Sequence, residues 1–314
     1  MSVLPKYAFF EGHIVPYSEA KVGVMTHALN YGTGCFGGIR GYWNDDEHQL
    51  FVFRPRDHYK RFLNSAKLLC MDLGYDVAKL VEITLDVLRT ENYRCDVYIR
   101  PLAYAAEEGI GVRLHDVRSA LTIFAIPFGS YMKETGAHVT FSSWRRVDDN
   151  AIPPRGKISG AYVNSAFVKT DAHFGGYDEA IVLNQDGTIS EGSAANFFML
   201  RDGVVCTPPN TDNSLEGITR RTTMILLKDE LGLPVVERTI DRSEVYLADE
   251  AWFCGTGVQV ASIVKVDHRL IGSGECGPVA NKLRDVYFDV VRGQNPKYRD
   301  WCVPVFTPGA KSGS

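Results

Sequence analysis

Lys157 stands in the run Lys157-Ile158-Ser159-Gly160-Ala161-Tyr162-Val163-Asn164, and about thirty residues on comes Glu191-Gly192-Ser193-Ala194-Ala195-Asn196. A primary amine beside a flexible Ser-Gly pair can condense with an aldehyde, a carboxylate can keep a pyridine nitrogen protonated, and a phenol can meet a ring oxygen. Lys157, Glu191 and Tyr162 supply those three groups in turn, a set that suits pyridoxal 5'-phosphate. The fourth requirement is a cup for the phosphate, and the chain offers two. Leu215-Glu216-Gly217-Ile218-Thr219-Arg220 opens a helical pattern running to about Leu231, and the N–H groups at a helix start favour an anion. Phe253-Cys254-Gly255-Thr256-Gly257 leaves a short strand through a glycine turn whose N–H groups and Thr256 hydroxyl can cradle oxygen atoms. Each feature taken singly has an ordinary reading: a solvated lysine, a turn glutamate, a core tyrosine, a capped surface helix, a hairpin.

Two further groups could face a substrate. Tyr98 and Arg100 lie two apart in a strand-like run and therefore on one face of a sheet, where a guanidinium can bind a carboxylate through paired hydrogen bonds. A structural ion pair is the alternative. Upstream, Tyr31-Gly32-Thr33-Gly34-Cys35-Phe36-Gly37-Gly38-Ile39-Arg40 contains a formal Gly-x-Gly-x-x-Gly. A dinucleotide fingerprint must open a helix, whereas Ile39 to Trp43 is β-branched and aromatic and runs into the polar turn Asn44-Asp45-Asp46, so that reading is rejected. These glycines let backbone pass close to a ligand or a second chain, with Tyr31 and Phe36 beside it, or they form a glycine-rich turn before a strand.

The elements that must position these groups suggest two domains, which the 314 residues readily allow. Residues 1–126 read as a small α/β domain: a hairpin around Glu11-Gly12, strands over Ile39–Trp43 and His48–Arg54, a helix from Pro55 to near Gly74 that carries Arg61, a second helix through Leu88, and strands over Asp96–Tyr104 and Leu121–Ile126. Residues 127–137 turn to Pro, Gly, Ser and charge and read as an interdomain loop. Residues 138–314 read as a larger α+β domain with a helix over Tyr162–Phe174, a strand over Glu179–Asn184, a hairpin at Asp202-Gly203, a closing helix from about Pro278 to Arg292 and a frayed tail from Pro308.

Composition narrows the function. A formal net charge of -4 gives no reason to expect nucleic acid or an anionic membrane as partner, so the substrate is small. No run approaches the roughly eighteen apolar residues of a membrane span, and the N-terminus lacks the apolar core of a signal peptide, which points to the cytoplasm. The 7 cysteines form no Cys-x-x-Cys pair and an odd number opposes a complete disulfide framework; the histidines show no ligand spacing, so no metal is expected.

With these motifs in order, the chain resembles the pyridoxal phosphate transaminases of fold type IV, and among them the branched-chain amino acid aminotransferases. The resemblance is carried by Tyr31-Gly32-Thr33, Phe36, Gly38-Ile39-Arg40, Tyr98-Ile99-Arg100-Pro101, Lys157-Ile158-Ser159-Gly160, Ser190-Glu191-Gly192-Ser193, Asn196-Phe197-Phe198, Gly217-Ile218-Thr219-Arg220, Tyr246-Leu247-Ala248-Asp249-Glu250 and Cys276-Gly277-Pro278, and it covers nearly the whole chain. It implies a two-domain α+β fold like that of D-amino acid aminotransferase and a homodimer or higher homo-oligomer, in which residues near Tyr31 and Val112 reach the neighbouring subunit's site. It implies that Lys157 carries the cofactor and shuttles the proton, that Glu191 pairs with the pyridine nitrogen, and that Tyr162 meets the ring oxygen. Arg61, Ile218, Thr219 and Thr256 would hold the phosphate. Tyr31, Phe36, Gly38, Tyr98 and Arg100 would line the substrate pocket, with Gly257 and Val258 offering backbone to a carboxylate.

The activity so implied moves an amino group between Leu, Ile or Val and 2-oxoglutarate or another 2-oxo acid. Competing readings within the fold are an (R)-selective amine:pyruvate transaminase, a D-amino acid transaminase and an aminodeoxychorismate lyase; outside it, a nucleotide-binding or structural protein that keeps the fold without chemistry. The family commonly has glutamate where Gly37 stands, glycine-glutamate at Ala194-Ala195 and proline at Glu216. Loss of charge at Gly37 and Ala195 suggests a side activity on (R)-amines that lack a carboxylate.

Overall fold

The computed structural model describes residues 3–129 and 135–307. Over these the chain divides into two compact units, one of 3–129, 156–160 and 289–307, the other of 135–155 and 161–288.

In the first unit seven strands run side by side in the order Cys302–Pro304, Gln49–Phe53, Ile39–Asn44, Val97–Ala105, Ser119–Pro127, Tyr7–Phe10 and His13–Pro16, with Gly34–Phe36 added beside Val97–Ala105. Every pairing is antiparallel, so this unit, expected as α/β, is built as a helix-covered antiparallel sheet. Along Val97–Ala105 the side chains alternate as a strand requires: Val97 and Ile99 are buried at 0%, while Tyr98 and Arg100 are half-buried on the other face. The helix Pro55–Leu68 starts with proline in its first turn, after Arg54 takes φ 46. It ends before Gly74 because Cys70 adopts φ 57 and the N–H groups of Leu69, Cys70 and Met71 turn back onto Ala66 and Lys67. The following helix, Val77–Glu91, is capped by Asp76, whose carboxylate accepts the Lys79 N–H at 2.7 Å.

Two segments return to this unit that the sequence placed in the second domain. Cys302–Pro304 pairs with Gln49–Phe53, and the Arg54 guanidinium lies 4.6 Å from the Trp301 ring. Residues 156–160 join at Gly34–Phe36: Ile158 bridges Cys35, the Phe36 N–H donates to the Lys157 carbonyl at 3.0 Å, and the Gly160 N–H donates to the Gly32 carbonyl at 3.1 Å. Both returns use backbone hydrogen bonds, which side-chain patterning does not reveal, and that of 289–307 adds ion pairs of Arg292 with Asp96 at 3.1 Å and of Arg299 with Glu47 at 2.6 Å. Of the expected interdomain loop, residues 130–134 lie outside the described residues, as does the tail from Pro308.

The second unit is a mixed sheet in the order Ile189–Gly192, Glu179–Leu183, Ala137–Arg145, Gln259–Val266, Glu250–Gly255, Asn196–Arg201, Val204–Thr207 and Val235–Glu237, with Arg269–Leu270 beside Gln259–Val266. Ala137–Arg145 runs parallel to both of its neighbours. One face packs Val139, Ile181, Phe197, Met199, Phe253 and Ile263 into a core. On Tyr162–Phe174, Ser165, Val168 and Ala172 recur at helical spacing, and Val168 and Ala172 pack on Ala180 and Val182. No helix among the described residues is long and apolar enough to cross a membrane.

Candidate active site

In the first unit the main chain of Lys157 is held on both sides. Its N–H donates to the Ser65 hydroxyl at 3.1 Å and its carbonyl accepts from Phe36. Gly156 packs so closely that an added Cβ would stand 3.0 Å from Leu68 and from Ile158. The Lys157 amine lies 5.0 Å from the centroid of the Phe36 ring, and the Arg100 guanidinium lies 4.3 Å from the same centroid. Arg100 in turn donates to the Tyr98 hydroxyl at 3.0 Å. Gly38 is needed here because a Cβ would collide with that hydroxyl. Lys157, Phe36, Gly38, Tyr98 and Arg100, chosen from three separate motifs, therefore form one cluster. Arg100 makes no ion pair with any described carboxylate, and its buried Nε has no hydrogen-bond partner among the described residues, so the structural ion pair is not what holds it.

Tyr31 ends the short helix His27–Tyr31; its ring lies 4.8 Å from that of His27, and its hydroxyl accepts the Gly111 N–H at 3.1 Å. Gly32 follows at φ 69, with Gly160 packed against it. Arg61 projects from Pro55–Leu68 one turn before Ser65, which donates to the Arg61 carbonyl at 3.0 Å. One turn earlier still is His58, buried and ringed by cations. Burial first, then the charges of Arg61, Arg54 and Lys157, holds its imidazole well below the usual histidine range, and its Nδ1 has no partner among the described residues.

In the second unit Glu191 is held by its carboxylate. One oxygen meets the Arg146 guanidinium at 2.6 Å; the other accepts from Asn196 Nδ2 at 2.9 Å and from the Leu215 N–H at 3.2 Å. Asn196 also donates to the Leu215 carbonyl at 2.9 Å, and a Cβ at Gly217 would strike the Asn196 side chain. The network thus ties Glu191 to the start of the helix Ile218–Asp229. That helix begins at Gly217 without a side-chain cap, and Ile218 and Thr219 are buried at 3% and 4%, which is not the burial of a capped surface helix. Thr256, Gly257 and Val258 form the turn between Glu250–Gly255 and Gln259–Val266, so the second phosphate candidate is a hairpin whose turn is half-buried. A Cβ on Gly255 would stand 3.7 Å from Ala195, which is itself 6% exposed. Tyr162 opens the helix Tyr162–Phe174, whose Asn164 donates to the Arg145 carbonyl at 3.1 Å.

Sequence reasoning missed Arg146, Ser65 and His58. Arg146 follows a strand end and Ser65 and His58 sit mid-helix, with no glycine or motif to single them out; only the 3- and 4-residue spacing of His58, Arg61 and Ser65 hinted at one shared face. No cluster of histidine, cysteine, aspartate and glutamate able to hold a metal occurs among the described residues.

The amino-transferase class IV family model matches residues 34–266. The chain belongs to that family. A probable branched-chain-amino-acid aminotransferase of Aquifex aeolicus is 47% identical over 301 residues, 96% of this chain and 97% of the relative. Among solved structures, the branched-chain aminotransferase of Thermoproteus uzoniensis with norvaline superposes with a TM-score of 0.92 at 40% identity, covering 96% of this chain and 100% of that one. The branched-chain amino acid aminotransferase of Thermobaculum terrenum in its PLP form does so with a TM-score of 0.92 at 38% identity, covering 96% and 99%. The two-sheet α+β architecture is that of the fold type IV aminotransferases.

Proposed function

We propose that this class IV aminotransferase uses pyridoxal 5'-phosphate to move amino groups between branched-chain L-amino acids and 2-oxo acids, 2-oxoglutarate among them. The observation that carries the substrate side is Arg100: a half-buried guanidinium, oriented by Tyr98 and Phe36, with an unpartnered Nε and no carboxylate of the described chain to neutralise it. A substrate carboxylate completes it, and the neighbouring aromatic rings suit an aliphatic side chain. The homologous enzymes solved with norvaline and in the PLP form agree with this reading.

The residues fit the cofactor. The Glu191 carboxylate, paired with Arg146 and held by two N–H donors, suits a protonated pyridine nitrogen, and the uncapped start of Ile218–Asp229 with Thr219 suits a phosphate dianion. Arg61 and Thr256 would supply a further cation and hydroxyl to the phosphate, and Tyr162 a phenol to the ring oxygen. When bound, the cofactor would act as the electron sink for the reaction at the substrate Cα. Lys157 would supply the amine that tethers it and then move the proton at the substrate Cα; Glu191 would hold the pyridine proton; Arg100 and Tyr98 would orient the carboxylate, with the backbone of Gly257 and Val258 as a second station. Tyr31, Phe36 and Gly38 shape the space for the side chain.

The functional unit is a homodimer or larger. Val24, Ile110 and Val112 are 83%, 81% and 76% exposed, and the segments that carry them are joined by the Gly109 N–H to Met25 carbonyl bond and the Thr26 to Glu108 bridge. Exposed apolar side chains on two bonded segments suit a subunit contact. We place the enzyme in the cytoplasm, consistent with seven cysteines of which none is in a disulfide.

Half-reactions test the assignment. L-leucine, D-alanine and (R)-1-phenylethylamine are added separately to the cofactor-loaded enzyme and the loss of its visible absorption band is timed. L-leucine is expected to react fastest, and Lys157→Ala to lose about 10⁴-fold or more of this rate, since tether and proton carrier vanish together. A faster reaction with D-alanine or the amine would transfer the chain to a neighbouring activity.

A further inference from the structure

Ser65 joins two parts of the first unit through one hydroxyl. A serine has one proton to donate and lone pairs to accept with, and here both are used: the proton goes to the Arg61 carbonyl one turn back, at 3.0 Å, and a lone pair takes the Lys157 N–H at 3.1 Å. The side chain is completely buried, at 0% exposure, so water cannot substitute for it. The bond to the Arg61 carbonyl is common for a serine in a helix and orients the hydroxyl, leaving the lone pair aimed at the lysine segment. The same helix closes on that segment a turn later, where a Cβ at Gly156 would stand 3.0 Å from the Leu68 side chain. On its other side the segment is fixed by the Phe36 N–H to the Lys157 carbonyl. The main chain of Lys157 is therefore gripped from both sides.

We propose that Ser65 is a positioning residue for Lys157: it locks the lysine main chain to helix Pro55–Leu68, so that the amine is presented at a constant distance from the turn that carries Arg61. The inference rests on the reading of Lys157 as the cofactor-bearing amine. With alanine at 65 the Lys157 N–H is left without its buried acceptor, the segment shifts to find another, and the amine moves with it.

The test compares two ligands on the full-length protein stripped of cofactor. Pyridoxal 5'-phosphate can react with an amine; pyridoxine 5'-phosphate has the same ring and phosphate but no aldehyde. Ser65→Ala is expected to weaken pyridoxal 5'-phosphate roughly tenfold, the scale of one lost buried hydrogen bond, and to leave pyridoxine 5'-phosphate within about twofold of its original affinity. In the reloaded enzyme kcat with L-leucine falls by a similar roughly tenfold factor while KM changes little, because a misplaced reacting group acts on the chemical step. Ser65→Cys, which leaves no cavity but accepts hydrogen bonds poorly, gives the same split, and Ser65→Thr, which keeps the hydroxyl, restores the original values. Equal weakening of both ligands would assign Ser65 to the Arg61 turn and overturn the proposal, and so would unchanged affinities and rates in both the alanine and cysteine variants. Lys157→Ala serves as the reference: it abolishes the preference for the aldehyde, and a preference that survived there would remove the reading of Lys157 itself, whatever Ser65 does.

Discussion

Lys157 and Glu191 show two different kinds of anchorage. The lysine is fixed at its main chain, by Ser65 on one side and Phe36 on the other, and its side chain is half-buried. The glutamate is fixed at its carboxylate, with both oxygens engaged by Arg146, Asn196 and the Leu215 N–H, and its side chain is only 4% exposed. For Lys157, proposed above to tether the cofactor and move a proton, a main chain held from both sides fixes the point from which the amine works. For Glu191, proposed above to face the pyridine nitrogen, donors on both oxygens fix the end that would do so. On those proposed roles, where each group is held accords with its task.

The sharpest way to break this contrast is to release the end of Glu191. Glu191→Gln should keep the side-chain volume and one of the two accepting oxygens, its NH2 now facing a donor, and lower the L-leucine half-reaction about 10²-fold or more, because a neutral amide cannot hold the pyridine proton. Arg146→Met should act on stability, since it leaves a buried carboxylate without its counter-charge, at a cost of about 3–5 kcal/mol. In the double variant Arg146→Met/Glu191→Gln the charge is gone from both sides, so denaturant unfolding should recover most of that stability while the half-reaction stays slow. A double variant no more stable than Arg146→Met alone would show that the ion pair is not what fixes the carboxylate.

The next effect lies on the lysine side. His58 is kept neutral by burial and by Arg61, Arg54 and Lys157, so its folded-state pKa lies below the ordinary 6.5. Below that value the unfolded chain binds a proton that the folded chain refuses. Its contribution to stability is therefore complete above pH 6.5 and is lost as the pH falls, at about 1.4 kcal/mol per pH unit for one proton. Urea midpoints measured from pH 7.5 to 5 should fall along this line, and His58→Gln should flatten it. An unchanged slope in the variant would place the acid sensitivity elsewhere.

His58 also marks where the sequence stopped being legible. Lys157, Glu191, Tyr98 and Arg100 stood out because glycine, proline or strand periodicity framed them, and the same signals gave the helices Tyr162–Phe174 and Pro278–Val291 nearly to the residue. The partners that hold those groups carry no such frame. Ser65 and Arg146 act through contacts 92 and 45 positions away in the chain, and the return of 156–160 and 289–307 to the first unit rests on long-range backbone bonds and, for 289–307, on distant ion pairs such as Arg292 with Asp96. Periodicity records which face a residue shows; it does not record what meets that face.

The smallest expected effect tests Gly37, where the resemblance drawn from the sequence implies a glutamate. Its N–H donates to the Pro101 carbonyl at 2.8 Å, and a Cβ at this position would stand only 2.6 Å from the Pro101 ring. Glycine therefore does two things: it withholds a carboxylate, and it lets Gly34–Phe36 and Val97–Ala105 close up next to Arg100. Gly37→Ala and Gly37→Glu separate them. Both should slow L-leucine a fewfold, because both push Pro101 and with it the adjacent Arg100, a strain of about 1–3 kcal/mol. Only glutamate adds charge to the lysine cluster, so only Gly37→Glu should lower the ratio of (R)-1-phenylethylamine to L-leucine turnover, by roughly threefold or more, an apolar substituent being harder to seat beside a carboxylate. Equal ratios in the two variants would reduce Gly37 to a packing device, and a parent enzyme with no measurable amine turnover would leave a plain branched-chain aminotransferase whose missing glutamate governs strand spacing alone.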